Sequence, residues 1–132
     1  MLHIKRIVLM EITLYDSAGH PVAYIADDGD KSIYLWKGHA VAYISEEKIY
    51  GWNGKHLGWF VNGVLFDLRG HRVGSIGEKC PRALYAQPVK FAKFAKYAKY
   101  ARFAAFAKSA LSTGYSNEPL EVFLKGGAVG NI

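Results

Sequence analysis

The chain has 132 residues, 51 % of them hydrophobic and 21 % charged, with a formal net charge of +6 and a single cysteine. That length suits one small domain, and a lone Cys80 excludes an intrachain disulfide framework and fits a reducing cytoplasm. No apolar stretch reaches the length of a membrane-spanning helix, and the run Ile7 to Met10 is too short for a signal-peptide core.

From Leu14 the chain repeats itself. LYDSAGHPVAYI, IYLWKGHAVAYI, IYGWNGKHLGWF and LFDLRGHRVGSI share one register. An aromatic residue (Tyr15, Tyr34, Tyr50, Phe66) stands four before a glycine (Gly19, Gly38, Gly54, Gly70), which stands three before an apolar residue (Val22, Val41, Leu57, Val73). So short a period marks a supersecondary unit that cannot bury its apolar face alone and must close with its copies. Each copy reads as a β-hairpin whose turn carries the glycine, and Asn53-Gly54 predicts a type I′ turn, in which two successive residues take positive φ. Acidic or glycine-bearing turns at 27–30, 45–48 and 61–64 join the units, giving about eight short strands. Ala23, Ala42, Gly58 and Gly74 follow the apolar positions, where small side chains imply close approach. Strands apolar on both faces do not suit an open sheet, and a closed array of four hairpins leaves no edge unpaired.

The run VAYIADDGD, continued by IYLWKGHAVAYISEEKIYGWNGKHLGWFVNGVLFDLRGHRVGSIGEKCP, resembles the four-fold β-flower domain, a bacterial family, over Leu14 to Pro81. The resemblance implies a shallow ring of four hairpins, distantly similar in shape to the tubby C-terminal domain, some of whose members bind phosphoinositide lipids. It implies no catalytic residues. The expected fold is therefore mainly β, a pseudo-fourfold flower or shallow barrel over residues 12–81, then a basic segment over 82–113 and a docking segment with a flexible glycine-rich end over 114–132.

The charge separates along the chain. Residues 1–81 balance nine bases against nine acids, whereas 82–111 carry seven bases and no acid. Within that stretch FAKFAKYAKYARFAAFAK repeats every three residues: Phe91, Phe94, Tyr97, Tyr100, Phe103 and Phe106, each followed by alanine and then by Lys93, Lys96, Lys99, Arg102, the exception Ala105, and Lys108. Alanine and lysine favour helix, so an α-helix between Pro88 and Gly114 is the expectation. Period three does not match 3.6, and polyproline II, with three residues per turn, is the competing conformation. These aromatic and basic residues are the candidate binding residues, since a basic segment beside a neutral domain suits an anionic partner.

Elsewhere the signals are weak. His20, His39 and His71 follow three of the repeat glycines, with Lys55 in the remaining copy, but no local spacing of zinc ligands accompanies them, and outward turn histidines are the expectation. Trp36, Trp52, Trp59 and the strand tyrosines suggest an aromatic cage, yet regularly spaced large aromatics are commoner as core. Asp27, Asp28, Asp30, Glu46 and Glu47 read as solvated turn acids. No nucleophile elbow or phosphate loop occurs, and neither a catalytic residue, a metal nor a cofactor is expected. The expected function is a noncatalytic module whose tail mediates homo-oligomerisation. The alternatives are contact with an anionic lipid or membrane surface at the cytoplasmic face and, more weakly, nucleic-acid binding.

Overall fold

The structure, a computed structural model, describes residues 10–132. Eight strands follow in order: β1 (Ile12–Tyr15), β2 (Pro21–Ile25), β3 (Ser32–Leu35), β4 (Ala40–Ser45), β5 (Lys48–Gly51), β6 (His56–Val61), β7 (Val64–Asp67) and β8 (Arg72–Ile76). Each pairs antiparallel with its neighbours, and β8 returns to β1 through Leu14↔Ile76 and Tyr15↔Ser75, closing a barrel with no free edge.

The two kinds of turn differ from the expectation at one point. At the repeat glycines only the glycine has positive φ, from 84° to 102°, and the paired register slips just before each turn. This is a tight turn closed by Gly19 N–H to Asp16 O and its equivalents, followed by a left-handed glycine and a bulge, rather than type I′. In the first and fourth hairpins the turn-opening side chain supports it: Asp16 Oδ1 accepts from the backbone N–H of both Ala18 and His20, and Asp67 Oδ1 does the same for Arg69 and His71. Leu35 and Gly51 open the other two, and in the third Asn53 Oδ1 accepts from Lys55 N–H. Two successive positive φ values occur instead at Asn62 (51°) and Gly63 (79°), in the two-residue connection between Val61 and Val64.

Period-two alternation sends Leu14, Ile33, Ile49 and Leu65 into the barrel and the adjacent Tyr15, Tyr34, Tyr50 and Phe66 outward. Both sets are buried. The inner set forms the core with the apolar face of a short helix, α1 (Leu120–Lys125), whose Leu120, Phe123 and Leu124 recur at helical spacing and plug the barrel. The plug accounts for two of the small residues: a Cβ at Gly58 would overlap the Phe66 carbonyl oxygen and press on the Phe123 ring, and one at Gly74 would meet the Leu120 side chain. The glycine-rich end also docks, against the expectation that it hangs free. Gly127 lies on Gly51 with no room for a Cβ on either, and Asn53 donates from its backbone to Gly127 O and from its side chain to Gly126 O.

Residues 82–113 are not helical. The segment forms neither helix nor strand and wraps the outside of the barrel as a belt. An α-helix would turn each successive base 60° from the last and scatter the bases around its circumference, whereas three residues per turn put all of them on one edge. The barrel supplies partners for that one edge, and their sum overrides the helix preference of alanine and lysine, a weak prior per residue.

Candidate functional site

The outer face of the barrel determines where the belt lies. Where one hairpin meets the next, cross-strand neighbours are aromatic pairs: Tyr24↔Tyr34, Tyr43↔Tyr50 and Trp59↔Phe66. Tyr24 and Tyr34 stack with ring centres 5.5 Å apart, and Tyr43 and Tyr50 at 5.9 Å. These ring faces meet the basic edge of the belt. Lys90 Nζ lies 4.5 Å from the Tyr24 ring centre and Lys93 Nζ 5.1 Å from that of Tyr34; Lys99 Nζ lies 4.5 Å from Tyr43 and the Arg102 guanidinium 4.5 Å from Tyr50. These rings are buried, as their reading as core requires, and where their faces would open to a ligand the chain's own cations cover them.

Acids complete the contact. Glu11 receives Lys90 at 2.9 Å and Lys93 at 2.7 Å, Asp28 receives Lys96 at 2.8 Å, Asp30 receives Lys99 at 2.7 Å, and Glu47 receives Lys108 at 3.4 Å. Asp28 and Asp30 are thus not the solvated turn acids the sequence suggested, whereas Glu47 remains 60 % exposed. Burial would raise the Asp28 carboxyl, but the Lys96 ammonium and hydrogen bonds from Ser32 outweigh it and hold it at about 2. Burial likewise opposes, and Lys93 and Lys90 reverse, the shift at Glu11, which lies below its ordinary range; the Lys99 hydrogen bond is the main reason Asp30 does too.

Backbone contacts set the register along the belt. Tyr85, Phe94, Phe103 and Ser112, nine residues apart, donate their N–H to Gly19, Gly38, Gly54 and Gly70 O at 2.9–3.0 Å. Two residues before each, the carbonyls of Ala83, Ala92, Ala101 and Ala110 lie against the glycine Cα, where a Cβ would overlap the oxygen. The repeat glycine therefore serves twice, as the left-handed turn residue and as the seat of the belt. Three triplets span one hairpin.

The candidate residues split between two edges. Lys93, Lys96, Lys99, Arg102 and Lys108 face the barrel, while Phe91, Phe94, Tyr97, Tyr100, Phe103 and Phe106 remain 56–63 % exposed. His20 stacks on Tyr85 at 4.3 Å and His39 on Phe94 at 4.2 Å, so these two turn histidines are lateral supports for the belt, while His71 lies beside Asp67. Among the described residues no three of His, Cys, Asp and Glu are grouped to hold a metal ion.

Sequence reasoning missed His56. It is 3 % exposed, its Nδ1 accepts the Phe106 N–H at 2.9 Å, and its Nε2 lies 2.9 Å from Gly58 O. Desolvation lowers its pKa. It stands two after a repeat glycine, where the other copies have Pro21, Ala40 and Arg72, and that departure from the repeat was the available signal. No helix among the described residues is long and apolar enough to cross a membrane.

No curated protein and no solved structure matches the chain. A family model described as the 4-fold beta flower protein matches residues 12–124, a span that takes in the barrel, the whole belt and most of the α1 plug. With four hairpins closed into one ring and that match over most of its length, the chain belongs to the 4-fold beta flower protein family.

Proposed function

We propose that the chain is a noncatalytic structural module that self-associates through the outer edge of its belt. The observation that carries this reading is the division of the triplets: the bases are engaged by the barrel, and the six rings are left more than half exposed. With 150–250 Å² of side-chain surface per ring, they leave on the order of 600 Å² of aromatic area in water, at the upper end of what a monomer carries as its largest apolar patch. A second copy is a partner of suitable character, because oligomer interfaces are rich in Phe and Tyr and poor in free charge.

The engagement of the bases weighs against an anionic lipid or a single-stranded nucleic acid as the main partner, since either would have to displace the barrel's own carboxylates. Sedimentation velocity over a hundredfold concentration range tests the proposal. The wild type should associate, and the combined change of Phe94, Tyr97, Tyr100 and Phe103 to serine should leave a folded monomer. A wild-type monomer at every concentration would overturn self-association. Saturable binding of that monomer to phosphatidylserine vesicles, lost in the same variant, would instead assign the exposed edge to a membrane surface.

A further inference from the structure

The four quarters of the ring are not equivalent. Two residues before each repeat glycine stand Ser17 in the first hairpin, Trp36 and Trp52 in the second and third, and Leu68 in the fourth. Trp36 O and Trp52 O each accept a belt N–H, from Phe91 and Tyr100, and the Trp52 indole N–H bonds to Tyr97 O. Lys96 also lies over the Trp52 ring, at 5.6 Å. In the fourth quarter the equivalent of Lys96, nine residues on, is Ala105, and the equivalent of Tyr100 is Ser109, which bonds to Leu68 O through its hydroxyl instead. A large indole and a long lysine stem are both missing. Between belt, barrel and α1 they leave a cleft of about 790 Å³, walled by Leu57, Leu68, Phe103, Phe106, Val122 and Phe123.

The rim has a definite charge. Lys55 and Arg69 border the cleft, and among the described residues neither has a carboxylate partner. Asp67 is committed to the turn, accepting from Arg69 N–H and His71 N–H and lying 4.0 Å from His71 Nδ1. Glu118 is the remaining acid, so the uncommitted charges on the rim are two cations to one anion. Lys55 itself stands where the other copies have histidine. The volume lies within the 300–1,000 Å³ usual for small-molecule sites, and an apolar wall with a few polar groups at its edge is their usual character.

We propose that this cleft binds a small amphipathic anion, with an aliphatic body against Leu57, Leu68, Val122 and Phe123 and a carboxylate at Lys55 and Arg69. The two departures that open the cleft, Leu68 and Ala105, coincide with the one that adds a cation, Lys55. The site shares Phe103 and Phe106 with the exposed edge of the belt, whereas Phe94, Tyr97 and Tyr100 lie outside it, and the cleft variants below leave all six rings in place.

Titration calorimetry with dodecanoate, held below its micellar concentration, tests the assignment on the full chain. Saturable one-to-one binding is expected, with dodecylammonium at least tenfold weaker. Leu68→Trp introduces the residue of the second and third hairpins and should reduce dodecanoate affinity at least tenfold with an unchanged circular dichroism spectrum. If Leu68→Trp fails to fold, Val122→Glu supplies the same test, since Val122 is 53 % exposed and a carboxylate there repels the ligand without entering the core. Lys55→Gln with Arg69→Gln should erase the preference for dodecanoate over dodecylammonium. Absence of dodecanoate binding by the wild type, undiminished binding in the folded cleft variant, or an unchanged charge preference in the double variant would each overturn the proposal.

Discussion

The barrel and the belt are built from equally regular repeats, yet they are stable for opposite reasons. The barrel is self-sufficient in hydrogen bonds: every strand has two neighbours, and its inner residues close around the α1 plug. The belt, with no helix or strand of its own, takes its order from outside, from cations over tyrosine rings, from turn carboxylates and from four glycine carbonyls. A repeat of β-branched and aromatic residues can build an element, whereas a repeat of aromatic, alanine and base can only line one.

Changes confined to one region should therefore break it in characteristic ways. The largest effect is expected from Leu124→Ala, which opens a cavity at a fully buried plug residue and should cost about 3 kcal/mol in urea unfolding. A loss under 1 kcal/mol would mean that the plug is dispensable to the barrel. Gly54→Ala attacks both regions at once, through the left-handed φ of 89° and the overlap with the Ala101 carbonyl. About 2 kcal/mol is expected, of which strain in the turn supplies 1–2, together with faster proteolysis between Tyr97 and Phe106. Cleavage no faster than wild type would separate the turn from the seat.

Lys96→Gln with Lys99→Gln should leave the barrel's unfolding midpoint nearly unchanged, since partly exposed ion pairs contribute about 1 kcal/mol or less each. It should nonetheless raise amide exchange at Tyr100 and Phe103, and unaltered exchange would show that backbone contacts alone hold the belt. Acid should act in the same sense and more gradually. Glu11, Asp28 and Asp30 have lowered folded pKa values, so their contribution is complete above about pH 4 and fades as pH falls towards 2, the value of Asp28. His56 is also lowered, but as a base: its contribution is complete above about pH 6.5 and is lost below it as the unfolded state takes up the proton first. Tryptophan fluorescence should register the carboxylate step while far-UV circular dichroism holds. Simultaneous loss of both signals would mean that belt and barrel are one cooperative unit.

The barrel was legible because its rules are local. The tyrosine-to-glycine register and alternating burial follow from residues near one another in sequence, as do the turns that Asp16 and Asp67 support. The Asn53-Gly54 turn does not, since Asn53 is bonded to Gly126 and Gly127 at the far end of the chain. The belt's conformation was not legible from composition, because helix propensity describes Lys93 or Ala95 in isolation and is silent about a distant ring face. Its period was the truer signal: three residues per turn brings every base to one side. The cleft rests on exceptions, Leu68, Ala105 and Lys55, each of which becomes meaningful only when the other copies show what normally occupies the place.

The belt is a strap buckled at both ends, running from β8 at one side to the α1 plug at the other. A free tail of the same length would gain the full freedom of a dangling chain on detaching. A strap whose ends stay fixed only becomes a loop, and the closure entropy it forgoes over some 30 residues is about 3 kcal/mol. Its weak contacts therefore hold it better than their sum suggests, and cutting the chain once within it, without altering a single contact, should set it free.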